Sequence, residues 1–173
     1  MAKFSWQISS LSEKSNARTG YITTPNGVIK TPAFIFCATK AALKSITTTD
    51  AKKIGTQIIL SNTYHLMLQP GSKLVADHGG LHKFMNWKLP ILTDSGGYQI
   101  YSLSEFRKID ENGVEFKSHL DGSKHYFTPE KIIDIQKIIG SDFMMVLDVC
   151  PSGESKSNPV FTFEENFVHR GLF

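Results

Sequence analysis

Residues 90–99 place a carboxylate, two glycines and an aromatic ring within one short stretch of the chain. The apolar run that ends at Asp94 has β character, so a strand would carry this carboxylate to the edge of a sheet. Gly96 and Gly97 lack a Cβ, which lets the backbone turn sharply and brings its N–H groups close to a ligand. Tyr98 offers a flat face on which a planar ligand can stack. The competing interpretation is an ordinary turn, in which Asp94 bonds its own backbone two residues further on.

A second carboxylate, Asp148, follows the apolar run 143–147. Asp94 and Asp148 together would suit glycosidic chemistry, with one as acid/base and the other as nucleophile. Alternatively, one of them recognises a base, because a carboxylate accepts two adjacent N–H donors such as those on the N1–H and N2–H₂ edge of guanine. A third interpretation is that Asp148 only caps the segment after its strand. The residues alone leave these alternatives open.

The composition is that of one soluble globular domain with a substantial core. The chain has 173 residues, of which 40% are hydrophobic and 20% charged. Its 19 basic and 16 acidic residues are scattered and give a net charge of +3, which permits a nucleic-acid partner without arguing for one. Cys37 and Cys150 lie in or beside apolar runs and indicate reduced thiols. No leader and no apolar run near ~20 residues occurs, so we expect a cytoplasmic protein without a membrane partner.

No motif for a metal, phosphate or dinucleotide is present. The six histidines and two cysteines do not have the spacing of a zinc site, and neither a P-loop nor a Gly-x-Gly-x-x-Gly motif occurs. His78 and His82 are four residues apart, but the two glycines between them argue against a helical pair, so we interpret both as ordinary surface or connecting residues. The sequence therefore predicts no bound metal or cofactor.

Strands and helices are predicted to alternate after a small N-terminal β layer. Residues 1–31 should form that layer, with a hairpin turn at residues 25–27. The following elements are a doubly buried strand at 33–37, a helix at 49–54 capped by Thr49, a strand at 57–60, a helix at 70–77, an aromatic connection at 81–87, and the strand ending at Asp94.

Beyond Tyr98 the pattern changes. Two turn signals, at 112–113 and 121–122, predict an antiparallel excursion over residues 108–124. A helix should start at the N-cap Thr128 and stop at Gly140, with an apolar stripe of Ile132, Ile135 and Ile139. The strand 143–147 follows, and its methionines at 144 and 145 are predicted to fill the core.

Alternating strands and helices indicate an α/β fold with a parallel sheet and right-handed crossovers. Polar residues follow the strands at Asn62, Thr63, Asp94 and Asp148, the edge at which a (β/α)₈ barrel carries its catalytic groups. A doubly wound sheet would also bind ligands there but gives no reason for the N-terminal layer. Since a barrel takes ~250 residues and we count about half of its strands, we predict an incomplete (β/α)₈ TIM-type barrel, with an N-terminal antiparallel β layer (1–31), a partial barrel domain (32–155) that includes a β-hairpin excursion, and a divergent tail (156–173).

Four segments carry a resemblance to a known family: 62–66 (NTYHL), 79–85 (GGLHKFM), 92–99 (LTDSGGYQ) and 118–123 (SHLDGS). In order and spacing they are similar to the N-terminal part of tRNA-guanine transglycosylases, also called queuine tRNA-ribosyltransferases. The resemblance implies a barrel transferase of queuosine biosynthesis, which replaces guanine at the anticodon wobble position of tRNA by a queuosine precursor. The base would be flipped out of the RNA into the pocket.

The resemblance also implies a role for each site residue. Asp94 resembles the general acid/base of the family, and Asp148 resembles the carboxylate that reads the N–H edge of the purine. Ser95, Gly96, Gly97 and Tyr98 would bind the purine, with Tyr98 stacked on it. The remaining residues, which would support the site, are Asn62, Thr63 and Cys150, the last of which resembles the bacterial-type enzymes that use an aminomethyl-deazaguanine precursor.

The sequence also departs from the family pattern. No position matches the family's nucleophile, a further Asp later in the barrel, and the Cys-x-Cys-x-x-Cys…His zinc site is missing, as the pattern ends near residue 157. We therefore expect a truncated member in which base exchange is incomplete and the isolated chain is inactive. The alternatives are one half of a split enzyme and a non-catalytic remnant that at most binds purine or tRNA. The partners implied are tRNA, a guanine-like base, and a complementing chain or a homodimer.

Overall fold

The computed structural model describes residues 4–104 and 106–148. Its elements form a mixed α/β fold with three sheets. In chain order the elements are β1 (Ser5–Leu11), β2 (Arg18–Thr24), β3 (Gly27–Thr31), β4 (Phe36–Cys37), α1 (Thr48–Lys53), β5 (Ile59–Asn62), α2 (Thr63–Leu68), α3 (Ser72–Asp77), α4 (Gly80–Phe84), β6 (Ile91–Asp94), α5 (Gly97–Leu103), β7 (Arg107–Asp110), β8 (Gly113–Lys117), β9 (Lys124–Phe127), α6 (Pro129–Ile139) and β10 (Phe143–Met144).

The N-terminal layer is an antiparallel sheet in the order β1-β2-β3. The predicted hairpin joins β2 to β3, but its central residues are Pro25 and Asn26, because Thr24 pairs with Gly27. Proline fixes a negative φ, which rules out the type I′ turn that an Asn-Gly pair favours. The Thr24 hydroxyl closes the turn by accepting from Asn26 N and donating to Gly27 O, each at 3.1 Å.

The central sheet is parallel and has the order β10-β6-β5-β4 within the described residues. Its edge strands correct two predictions. The strand expected at 33–37 is reduced to β4, and both of its residues are exposed rather than buried on two faces. The strand expected at 143–147 is reduced to β10, and Met144 and Met145 are exposed, so their assignment to the core is wrong. Each edge strand has a neighbour on one side only, so apolar composition did not lead to burial.

The short helices were the least predictable elements. The first helix is capped by Thr47, whose hydroxyl accepts from Asp50 N, and not by Thr49. Three helices were not predicted, namely α2, α4 and α5, and α4 replaces most of the connection expected at 81–87. Each has five to seven residues, too few for a helical period to be recognisable in the sequence.

The longest helix among the described residues, α6, confirms its prediction in detail. Thr128 is the N-cap and accepts from Lys131 N at 3.2 Å, and Pro129 is the first helical residue. Gly140 ends the helix with φ 81°, and the side chains of its apolar stripe, Ile132, Ile135 and Ile139, are buried. The predicted excursion is also present as the antiparallel sheet β7-β8-β9.

Two apolar clusters form the core of residues 4–104 and 106–148. One surrounds β5 and β6 on the side of α1, α3 and α4 and includes Trp87. The other joins α2, α5 and α6 to the excursion through Tyr64, Phe116 and Phe127. The fold therefore fixes β5, β6 and the segment after β10 side by side, and their carboxyl ends form a common edge.

Asp142 connects the N-terminal hairpin to this sheet. It accepts hydrogen bonds from Asn26 Nδ2 and from Ile91 N, both at 2.9 Å. His82 Nε2 lies 3.2 Å from the same carboxylate. The interpretation of His82 as an ordinary connecting residue is therefore wrong, since its ring lies against a buried carboxylate.

Candidate active site

Asp94 is held by the residues that end the neighbouring strand. β5 and β6 are parallel with Asn62 opposite Asp94, so the two side chains leave the sheet together. Asn62 Nδ2 donates to Asp94 Oδ2 at 2.7 Å, and Thr63 N donates to Asp94 Oδ1 at 3.2 Å. The Thr63 hydroxyl donates to the backbone oxygen of Asp94. The structure thus brings together three of the predicted site residues.

Asn62 has a second contact that fixes it in place. It is the N-cap of α2, and its Oδ1 accepts from His65 N at 3.0 Å. The amide is fully buried, with 2% of the residue exposed. One side chain therefore starts a helix and orients the carboxylate of Asp94.

The environment of Asp94 increases its affinity for a proton. Burial raises the pKa of Asp94, hydrogen bonds from Asn62 and Thr63 oppose that rise, and the negative charge of Asp148 adds to it. The net result is a pKa above the usual value of 3.8. A carboxylate whose pKa is shifted toward neutral pH is suited to giving and taking a proton.

Ser95 connects the end of β6 to Asp148. Its hydroxyl donates to Asp148 Oδ1, and it accepts from Gly97 N at 3.1 Å. Ser95 is buried whereas Asp148 is exposed. The second carboxylate is therefore anchored on its protein side and accessible on the other.

The two glycines leave space for protein groups. Gly96 has φ +80°, and a Cβ there would lie 2.5 Å from Cβ of Tyr64. A Cβ on Gly97 would lie 2.5 Å from Asp148 Oδ1. The sequence predicts that this space serves the approach of a ligand; in the structure its neighbours are Tyr64 and Asp148.

The ring of Tyr98 is available for a ligand. Tyr98 is in the first turn of α5 and is 59% exposed. Residues 149–173, which include Cys150 and the divergent tail, lie outside the described residues. The assignments of Cys150 and of the tail remain predictions.

Sequence reasoning missed the contact between Tyr64 and His119. Tyr64 is fully buried, and its hydroxyl lies 2.8 Å from His119 Nδ1 in the turn between β8 and β9. Burial raises the pKa of Tyr64 above its usual value of 10.0. The two residues belong to two of the family-like segments, but no spacing rule connects positions 55 apart. This contact joins the excursion to the helix beside Asp94.

Within residues 4–104 and 106–148, no group of three or more His, Cys, Asp or Glu side chains is arranged to hold a metal ion. The donors that a zinc site needs are therefore not brought together in this part of the chain. None of the helices described there is long and apolar enough to span a membrane.

Comparison with known proteins identifies the family. The family model for queuine tRNA-ribosyltransferase matches residues 12–161. Curated proteins of that name include one from Thermoanaerobacter pseudethanolicus, 55% identical over 150 residues, and one from Nitratidesulfovibrio vulgaris, 56% identical over 142 residues. These alignments cover 87% and 82% of this chain but 40% and 38% of the relatives. The chain belongs to the queuine tRNA-ribosyltransferase family, as the resemblance predicted, and spans about two fifths of the length of these relatives.

Proposed function

We propose that the chain provides the purine-binding and proton-transfer side of a tRNA-guanine transglycosylase site. The observation that carries the proposal is the pairing of Asp94 and Asp148 at one edge of the sheet: Asp94 is oriented by Asn62 and Thr63, and Ser95 links it to Asp148. Membership of the family supports the same assignment. We further propose that the four-stranded parallel sheet is part of a (β/α)₈ barrel.

In this proposal Asp94 transfers the proton, and Asp148 recognises the purine base. In the exchange, the C1′–N9 bond to guanine breaks and a new bond from C1′ to the incoming base forms. Asp94 gives a proton to the departing guanine and takes one from the incoming base, which its raised pKa favours. The exposed carboxylate of Asp148 accepts from N1–H and N2–H₂ of the purine. Tyr98, 59% exposed, stacks on the ring.

Calorimetric titration of the purified chain tests the base assignment. Guanine has both donors, hypoxanthine has only N1–H, and adenine has neither, so we expect affinity to fall in that order. Asp148→Asn should abolish the preference because an amide replaces one acceptor by a donor. Asp121→Asn, a control at an exposed carboxylate of the β8–β9 turn, should bind guanine like the parent chain. Equal affinity for the three bases would refute the assignment.

Exchange itself is measured with labelled guanine and tRNA. The parent chain and Asp94→Asn are each assayed alone and together with an extract of the host. Incorporation that requires the chain and is lost in Asp94→Asn supports base exchange at this site. Equal incorporation with the parent chain and with Asp94→Asn would show that Asp94 does not transfer the proton.

A further inference from the structure

Gln136 is a fully buried polar side chain on α6 whose amide uses all of its hydrogen-bonding groups. Its Oε1 accepts from Met145 N at 3.0 Å and from the hydroxyl of Thr93 at 2.7 Å. Its Nε2 donates to Met145 O at 2.8 Å and to Ile132 O at 3.3 Å. Two acceptor sites and two donors are the full capacity of the amide group, so the side chain is held in one orientation.

The contact with Met145 resembles the pairing of a strand. Met145 follows the last residue of β10, and Gln136 binds both its N–H and its C=O. Met145 N also donates to Thr93 O at 3.1 Å, so its one N–H is shared between Gln136 Oε1 and the backbone of β6. The amide therefore extends the ladder at the point where β10 ends.

The same amide connects the two carboxylates through the backbone. Thr93 precedes Asp94, and Met145 lies three residues before Asp148, a distance of at most ~10 Å along an extended chain. A displacement of Met145 would thus reach Asp148, whose position also depends on the buried Leu147 before it and on the hydroxyl of Ser95.

We infer that Gln136 is a positioning residue of the candidate active site, because it fixes segment 145–148 against β6 and so sets where Asp148 lies relative to Asp94. Its consequence for guanine recognition rests on the proposed function; the positioning itself does not. If Gln136 only filled space in the core, any side chain of similar volume could replace it. Gln136 instead forms two of its four hydrogen bonds with Met145 and one with Thr93.

The test replaces Gln136 by methionine, which has a similar length and cannot form the amide contacts. Ile139→Val is the matched control, because Ile139 is buried on the same helix and forms no hydrogen bond with segment 145–148. We expect Gln136→Met to bind guanine at least about tenfold more weakly and to lose the preference for guanine over hypoxanthine, as the loss of one well-placed hydrogen bond would produce. Ile139→Val should retain both.

A second readout does not depend on guanine. The charge of Asp148 contributes to the raised pKa of Asp94, so displacement of Asp148 should lower that pKa toward 3.8. Carboxyl ¹³C titration of Gln136→Met should show this shift, and Ile139→Val should not. If the methionine variant does not fold, Thr93→Val removes the hydroxyl that donates to Gln136, together with its contact to Ser141 Oγ at 2.6 Å, without a cavity and should shift both readouts in the same direction.

The outcomes separate the two proposals. If the parent chain does not prefer guanine but Gln136→Met still lowers the Asp94 pKa, the positioning stands and the proposed function fails. If the parent chain prefers guanine and folded Gln136→Met changes neither the preference nor the pKa, the inference about Gln136 is overturned and the proposed function stands.

Discussion

Asn62 makes two contacts that one substitution can separate. In Asn62→Ser, the hydroxyl is a good N-cap and keeps the bond to His65 N, but it is too short to reach Asp94 Oδ2. The lost donor stabilised the charged form of Asp94. The pKa of Asp94, already above 3.8, should therefore rise further.

The size of the rise follows from the strength of the lost contact. A hydrogen bond to a charged group contributes about 1.5–3 kcal/mol, and one pKa unit corresponds to about 1.4 kcal/mol. Asp94 is only partly buried, so water replaces part of the lost interaction and the lower end of this range applies. We expect the Asp94 pKa to rise by about one unit.

Carboxyl ¹³C titration between pH 3 and 8 measures this change, with Asp94→Asn identifying the resonance. Asn26→Ser is a matched control, because it removes an amide–carboxylate hydrogen bond of 2.9 Å from Asp142 instead. That variant should leave the titration of Asp94 in place. An unchanged or lower midpoint in Asn62→Ser would show that Asn62 does not stabilise the ionised form.

The same substitution changes how stability depends on pH. Because the folded-state pKa of Asp94 lies above its unfolded value, its contribution is fully present below about pH 3.9 and is lost as pH rises through the folded value. A further rise of about one unit therefore costs Asn62→Ser about 1.4 kcal/mol more at pH 7 than at pH 3. Urea unfolding at both pH values measures the difference, and a cost that is the same at both would contradict the linkage.

Three further substitutions test other parts of the fold by urea unfolding. The pKa of Asp142 is lowered because contacts with His82, Asn26 and Ile91 N outweigh the effect of its burial; its contribution is present above about pH 3.9 and is lost as pH falls through the folded value. Asp142→Asn should therefore differ most from the parent chain at neutral pH and least at pH 2, and a constant difference would contradict this. Ile132→Ala should cost about 2–5 kcal/mol because Ile132 is fully buried; a cost below 1 kcal/mol would mean that the core closes around the gap. Thr128→Ala should cost about 1 kcal/mol by removing the N-cap of α6, and no change would show that water replaces the cap.

Local sequence signals predicted an element correctly where several of them agreed. The helix α6 has a Thr-Pro-Glu start, a glycine stop and an apolar stripe, so its prediction was accurate. The strand β6 was recognised from its composition and from the polar residues that follow it. The short helices α2 and α5 gave no such signal: α2 begins at Asn62, which also donates to Asp94 on the neighbouring strand, a contact that the local sequence does not show.

The sequence predicted the part of the site that lies at the ends of strands. Asn62, Thr63 and Asp94 could be placed together because carboxyl ends of parallel strands meet at one edge. Gln136 could not, since a buried amide within an apolar stripe looks like any exposed polar residue until its partners in β6 and at Met145 are known. The contact of Tyr64 with His119 depends on how the excursion folds back on α2, which no local pattern specifies.

The different surroundings of the two carboxylates suit the different roles proposed for them. Asp94 is partly buried among donors, and its pKa is raised; Asp148 is exposed and accepts from the hydroxyl of Ser95. The charge of Asp148 is one cause of the raised pKa of Asp94, so the group that would read the base also adjusts the group that would move the proton. Because Gln136 and Ser95 set the position of Asp148, the proposed base recognition and proton transfer would depend on the same buried contacts, and a substitution that weakens one should weaken the other.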